Sequence, residues 1–161
     1  MNTRLEDLCL EADASIRNSA YLEAKQLYEQ MLMDDPTSHH AHNCLGWLYK
    51  SQLDDYEKAE KHYRAAIKYA PSYPHPYINL SILLTDMERW IELELLLDTA
   101  KEVAAIDKCT VQVRFAIMYE LRQDFYKAMD HFKNAAKLAL NDERFEGIRK
   151  DIERCKLKLE L

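Results

Sequence analysis

The sequence predicts an all-α protein assembled from stacked antiparallel helical hairpins. Three observations predict it. Glycine occurs only twice and proline four times in 161 residues, so there is little from which to build the tight turns that join strands. Aromatic and small residues return every 34 or 35 positions along most of the chain. The C-terminal stretch then carries an apolar stripe of its own, spaced by three and four residues, with charge on its other faces.

Taken in order, the first predicted hairpin pairs helices near 4–17 and 21–33. Thr3 followed by Glu6 reads as a capping box, in which two orphan helix-end donors are satisfied reciprocally. Pro36 ends the second of these helices, because proline cannot continue a helix and disfavours it one residue earlier. The second hairpin pairs 39–52 with 55–70. Asp54 and Glu57 loosely imitate a capping box at its turn, and Pro71 closes it. The third pairs 75–87 with 89–104 and places Pro74 in its first turn. The fourth pairs 109–122 with 124–139. Asn141, Asp142 and Glu143 suit the start of a ninth helix, 142–159, whose stripe is Phe145, Ile148, Ile152, Cys155 and Leu159. No strand is expected.

The repeat is legible as six parallel series. Ala12, Gly46, Ser81 and Ala116 are small, and Ser15, Tyr49, Leu84 and Tyr119 follow them by three residues. The aromatics Tyr21, Tyr56, Trp90 and Phe125 precede Ala24, Ala59, Leu93 and Ala128 by three. Tyr28, Tyr63, Leu97 and Phe132 come next, then Met31, Ala66, Ala100 and Ala135. The small residues let paired helices approach closely, and the aromatics fill the space between one pair and the next.

This period and these residue types resemble the tetratricopeptide repeat, whose pattern is W-x₂-L-G-x₂-Y…A-x₃-F…P over about 34 residues. The second repeat matches best, with Leu45-Gly46-x₂-Tyr49, Ala59-x₃-Tyr63 and Pro71, although His42 stands where the opening aromatic belongs. The third opens Tyr77-x₂-Leu80-Ser81-x₂-Leu84, but Leu93 replaces a small residue and Ala105 the proline. The fourth has Phe115-Ala116-x₂-Tyr119 and Ala128-x₃-Phe132 without a proline. The first is degenerate in its leading half, Glu11-Ala12-x₂-Ser15. The resemblance implies a right-handed superhelical solenoid of about four repeats plus a C-terminal capping helix. The expected organisation is one domain, 1–161, with repeats near 5–38, 39–73, 74–108 and 109–141 and the cap at 142–161.

The same resemblance implies a non-catalytic protein–protein interaction module that holds a peptide or partner helix in a concave groove lined by the first helix of each hairpin. Carried over position by position, the groove takes Glu6, Cys9, Asp13 and Arg17, then His40, Asn43, Trp47 and Lys50. It continues with His75, Ile78, Asn79, Ile82 and Asp86, then Thr110, Val113, Ile117 and Glu120. Trp47, Ile78, Ile82, Val113 and Ile117 are large and apolar at positions not spent on packing, which marks an interaction surface of apolar character. Asn43 and Asn79 flank them with amides able to bond a ligand backbone. A co-chaperone carboxylate clamp is disfavoured. Its Lys and Asn on the leading helix of the first repeat, Asn on that of the second and Lys and Arg on that of the third are matched by Cys9 and Asp13, Cys44, and His75 and Asn79. Only Asn79 offers a comparable amide donor, and the acids would repel a carboxylate. The alternatives are a self-associating scaffold subunit, including a homodimer, or a secretion-type chaperone of similar length.

Composition excludes other classes. A net charge of −6 disfavours nucleic acid, whose affinity comes from clustered cations. No stretch approaches about 20 consecutive apolar residues, so no membrane span is expected. Cys9, Cys44, Cys109 and Cys155 form no C-x-x-C pair and read as reduced, half-buried thiols. The acidic N-terminus lacks a signal-peptide core, and a cytoplasmic location is expected. G-x-S-x-G, P-loop, H-E-x-x-H and dinucleotide motifs are missing, so neither catalysis nor a cofactor is expected. His40 and Cys44, four apart, share a helix face that offers two metal ligands, with His75 a possible third. Surface and groove histidines are the preferred reading of the His39, His40, His42 cluster, and no metal is assigned.

Overall fold

A computed structural model describes residues 3–161. Among them are nine helices and no strand: α1 (Thr3–Arg17), α2 (Tyr21–Asp34), α3 (His39–Ser51), α4 (Tyr56–Tyr69), α5 (His75–Asp86), α6 (Trp90–Ala100), α7 (Lys108–Leu121), α8 (Phe125–Leu138) and α9 (Asp142–Leu159). Every expected helix is present. The largest boundary error is at α6, which ends at Ala100 rather than near 104. Beyond it the backbone tightens into three-residue turns, with Glu102 bonded to Thr99, Val103 to Ala100 and Ile106 to Val103. Val103 and Ile106 are buried and pin this connection, and the Lys108 ammonium caps the Lys101 and Val103 carbonyls.

Two compact units divide the chain, Met1–Leu83 and Leu84–Leu161. In the first, Ala12, Ala24, Tyr28, Leu45, Leu48, Ala59, Tyr63 and Ala66 are buried, so the repeat series supply the core. In the second, Leu93, Leu97, Ala116, Ala128, Phe132 and Ala135 do the same, with Ile148 and Cys155 from α9. Each fully buried large side chain contributes about 1.5–3 kcal/mol. Gly46 is needed where it stands: a Cβ there would lie 2.6 Å from Cδ1 and Cε1 of the Tyr63 ring, so α3 and α4 meet too closely for any side chain. Leu93, where the repeat wants a small residue, is fully buried.

The turn inside every hairpin holds one non-glycine residue in the left-handed region: Ser19 (φ 60°), Asp54 (φ 52°), Glu88 (φ 54°) and Gln123 (φ 62°). The next residue bonds back to the preceding helix, Ala20 to Ser15, Asp55 to Tyr49, Arg89 to Leu84 and Asp124 to Tyr119. This is helix termination by a left-handed residue, usually glycine. It corrects the capping box read at Asp54: with Asp54 turning the chain, Asp55 caps α4 by accepting from the Lys58 amide at 3.0 Å. Ser38, Asp107, Asp124 and Asn141 cap α3, α7, α8 and α9 in the same way. Pro74 precedes α5 and Pro76 occupies its first turn.

The cap helix differs from expectation in how it is held. Ile148 and Cys155 are buried, but Phe145 and Leu159 are 42% and 38% exposed. Ion pairs to α7 make up the difference. Arg154 grips both oxygens of Glu120 (2.8 and 2.6 Å), Lys158 adds a bond of 2.7 Å, and Arg144 reaches Asp107 at 2.6 Å. The Arg154 hydrogen bond first, with Lys158 behind it, holds Glu120 below the usual carboxylate range.

Candidate functional site

In the first unit, α1 and α3 face a cleft of ≈ 370 Å³ lined by Asp13, Ile16, Arg17, Tyr28, Asn43, Cys44, Trp47 and Asn79. Trp47 is half-buried: its ring meets Tyr21 edge-on, with centroids 5.9 Å apart at 63°, and the indole borders the cleft. Ile78 and Ile82, also half-buried, stand on α5 one turn apart.

Asn43 and Asn79 are brought together, but not as open amides. Asn79 donates to the Asn43 side-chain oxygen at 3.0 Å, and Asn43 is only 8% exposed. Their pairing joins α3 to α5 and leaves the remaining amide capacity, chiefly that of half-buried Asn79, at the cleft.

Val113 and Ile117 belong to the second unit and are half-buried on α7. Val113 borders a different cleft, with Thr110 beside it and Arg144, Gly147, Ile148 and Asp151 of α9 opposite. Two of the α7 positions expected in the groove are occupied by the cap instead. Thr110 accepts from Arg144 at 2.7 Å and Glu120 holds Arg154 and Lys158.

A polar cluster adjoins the first cleft, which Asp13, Tyr28 and Cys44 line. Cys9 and Asp13 lie four residues apart on α1, and His40 and Cys44 four apart on α3, so each pair shares a helix face. Asp13 Oδ1 accepts from the Tyr28 hydroxyl and lies 3.1 Å from His40 Nε2. Its Oδ2 lies 3.9 Å from the Cys9 sulfur, and the Cys44 sulfur lies 3.7 Å from His40 Nε2. Burial opposes the Asp13 charge, but Tyr28 and His40 outweigh it and lower its pKa. The bond with Cys44 first, then against burial those with Asp13, lifts His40 to about 9. Burial, then Asp13 and Cys44, pushes the Cys9 thiol up.

Cys44, Tyr28 and Ile16 were absent from the groove positions carried over from the repeat pattern. A tandem signal did exist for Cys44: two four-residue steps between ligand-type side chains, on consecutive first helices. Tyr28 was assigned to the core, which it is; its hydroxyl alone reaches the site. His75, the third ligand the sequence offers, is exposed and packs edge-on against Tyr73 at 5.0 Å.

These hairpins define the tetratricopeptide-repeat fold. The structure is similar to yeast Tom70 (TM-score 0.81, 20% identity), covering 97% of this chain and 34% of that one. It is similar to PilF of Pseudomonas aeruginosa (0.78, 14%; 99% and 75% covered) and to a tetratricopeptide repeat protein of Parabacteroides merdae (0.81, 18%; 96% and 59%). The chain thus spans about a third of the Tom70 structure. No protein-family profile matches the sequence, and no curated protein sequence matches it either. No helix among the described residues is long and apolar enough to cross a membrane.

Proposed function

We propose that the chain is a non-catalytic protein-binding module whose ligand is a peptide or partner helix with apolar character. The observation that carries this reading is the cleft in the first unit, with the half-buried indole of Trp47 at its wall and a paired amide beside it. Trp is the commonest interface anchor, because it buries a large area with few torsions to freeze. Asn79 supplies the hydrogen-bonding edge a peptide backbone needs, and Ile78 and Ile82 extend the apolar wall along α5. Val113 and Ile117 offer a smaller apolar surface in the second unit, and we assign them a secondary part. A cytoplasmic location and the lack of a cofactor belong to this reading.

The experiment is selection of peptides against the intact chain, followed by titration of the winners. Trp47→Ala weakens binding by about 2 kcal/mol or more, roughly 30-fold, with the far-ultraviolet circular dichroism unchanged. Equal affinity for both proteins refutes the reading.

Self-association is a second reading, and one observation favours it over a secretion-type chaperone. Ile91 and Leu95 are 77% and 63% exposed and four residues apart on α6, an apolar pair with no cover. Light scattering across a concentration series decides it: a single monomeric mass at all concentrations removes this reading.

A further inference from the structure

We propose that Cys9, Asp13, His40 and Cys44 form a binding site for a thiophilic divalent metal ion, zinc above all. The inference does not depend on the peptide-binding reading.

The donor set is the first argument. Two sulfurs, one imidazole nitrogen and one carboxylate oxygen are the ligand types that zinc takes, and four is the number that closes a tetrahedral structural site. The second argument is the backbone. Two four-residue steps on neighbouring helices, Cys9 to Asp13 on α1 and His40 to Cys44 on α3, turn all four side chains into the space between those helices.

The third argument is distance. Tetrahedral bonds to nitrogen, oxygen and sulfur place neighbouring ligand atoms about 3.3–3.8 Å apart. The separations here are 3.1 Å for Asp13 to His40, 3.7 Å for His40 to Cys44 and 3.9 Å for Cys9 to Asp13. The donor atoms of Cys9, Asp13 and His40 all lie within 4.8 Å of one another. Cys44 touches this group through His40 alone and stands outside the 4.8 Å cluster, so closing a four-ligand shell requires its side chain to turn toward Cys9 and Asp13.

Support and access complete the case. Tyr28 donates to Asp13, the outer-shell contact that orients a ligating carboxylate. Asp13 and His40 each keep 34% of their side-chain surface open, and Asp13 and Cys44 line the cleft, which is a path for the ion. The ion would tie the first repeat to the second beside the cleft.

The test uses the full reduced chain, stripped with a chelator and titrated with cobalt(II), which reports thiolate ligation in its absorption spectrum. One equivalent is expected to bind with a thiolate-to-cobalt charge-transfer band and intense tetrahedral ligand-field bands, all lost when zinc is added. Cys9→Ser and Cys44→Ser each weaken the charge-transfer band, and the double variant abolishes it. Tyr28→Phe lowers affinity about 10-fold while leaving the band's shape intact. His62→Gln removes a partner of the neighbouring His42–His62 pair, Nδ1 to Nδ1 2.9 Å, and leaves binding unchanged. The proposal is overturned if the parent protein shows no thiolate band. It is also overturned if the band survives in the double cysteine variant, which assigns it to Cys109 and Cys155, or if His62→Gln abolishes it.

Discussion

Gly46 and Gly147 both stand inside helices, and replacing each with alanine should have opposite effects on stability. In α9, a Cβ on Gly147 meets nothing within 4 Å, so Gly147→Ala only relieves the entropy that glycine loses in a helix. That gain is about 1 kcal/mol. Gly46→Ala receives the same propensity gain, but its Cβ falls 2.6 Å from two carbons of the Tyr63 ring. An ordinary carbon–carbon contact needs about 3.5 Å, so the ring or the helix must yield by nearly an ångström. Tyr63 is 1% exposed, so its ring cannot swing aside into solvent without giving up its burial. Overpacking costs about 1–3 kcal/mol, and two 2.6 Å contacts with a buried ring belong to the upper part of that range, about 2–3, which leaves Gly46→Ala destabilised by roughly 1–2 after the propensity gain, and Gly46→Leu by more. Urea denaturation at constant m-value measures both changes. Tyr63→Leu removes the offending ring carbons, so a double-mutant cycle with Gly46→Ala should show coupling; Tyr63→Phe, which keeps them, should not. If Gly46→Ala stabilises as much as Gly147→Ala, α3 and α4 do not meet as closely as stated.

Three further outcomes follow from the described contacts. Glu88→Gly and Gln123→Gly should each stabilise by about 0.5–1 kcal/mol, because both residues hold a left-handed conformation that costs a side chain more than glycine; unchanged denaturation midpoints count against these turns. Stability should fall with acid between pH 6.5 and about 4. Burial first, then His42, depresses His62 to about 4, and burial lowers His131, so the unfolded chain takes up protons before the folded one. After discounting for partial exposure, His62 accounts for about 2 kcal/mol, and His62→Gln should flatten the denaturation midpoint against pH. Glu120→Ala should cost about 1–2 kcal/mol and raise hydrogen exchange in α9 before the rest of the chain, since it frees Arg154 and Lys158 together; uniform exchange would show that apolar contacts alone hold the cap.

The periodic part of the fold was legible because each series has one dominant physical demand. Ala24, Ala59 and Ala128 are fully buried where closeness is required, and Tyr28, Tyr63 and Phe132 where volume is. What stayed hidden was non-periodic. The left-handed residues Ser19, Asp54, Glu88 and Gln123 share no chemistry, so composition cannot flag them, although their spacing of 34 or 35 is that of the repeat. The ion pairs of the cap join α7 to α9, and exposed charges carry no signal of which partner they choose. In the candidate site, the helical positions of Trp47, Ile78 and Ile82 followed from the repeat register. The mutual bond of Asn43 and Asn79 did not, because it depends on how α3 meets α5.

The site's chemistry gathers where the repeat pattern is weakest. Tyr49, Leu84 and Tyr119 occupy one register position in three repeats, and Ser15 occupies it in the first. Ser15 is small and buried, and two residues earlier Asp13 reaches the second repeat, bonded at once to Tyr28 and His40. In the fourth repeat the pattern is kept, Tyr119 is buried, and the neighbouring polar positions Thr110 and Glu120 serve α9. A half-buried polar network fixes geometry, because each donor must meet its acceptor. The first unit thus carries a hydrogen-bonded polar cluster beside the apolar Ile16 and Trp47 of the same cleft. Under the proposed peptide-binding reading, the apolar wall would supply affinity and the polar cluster would decide which groups approach it.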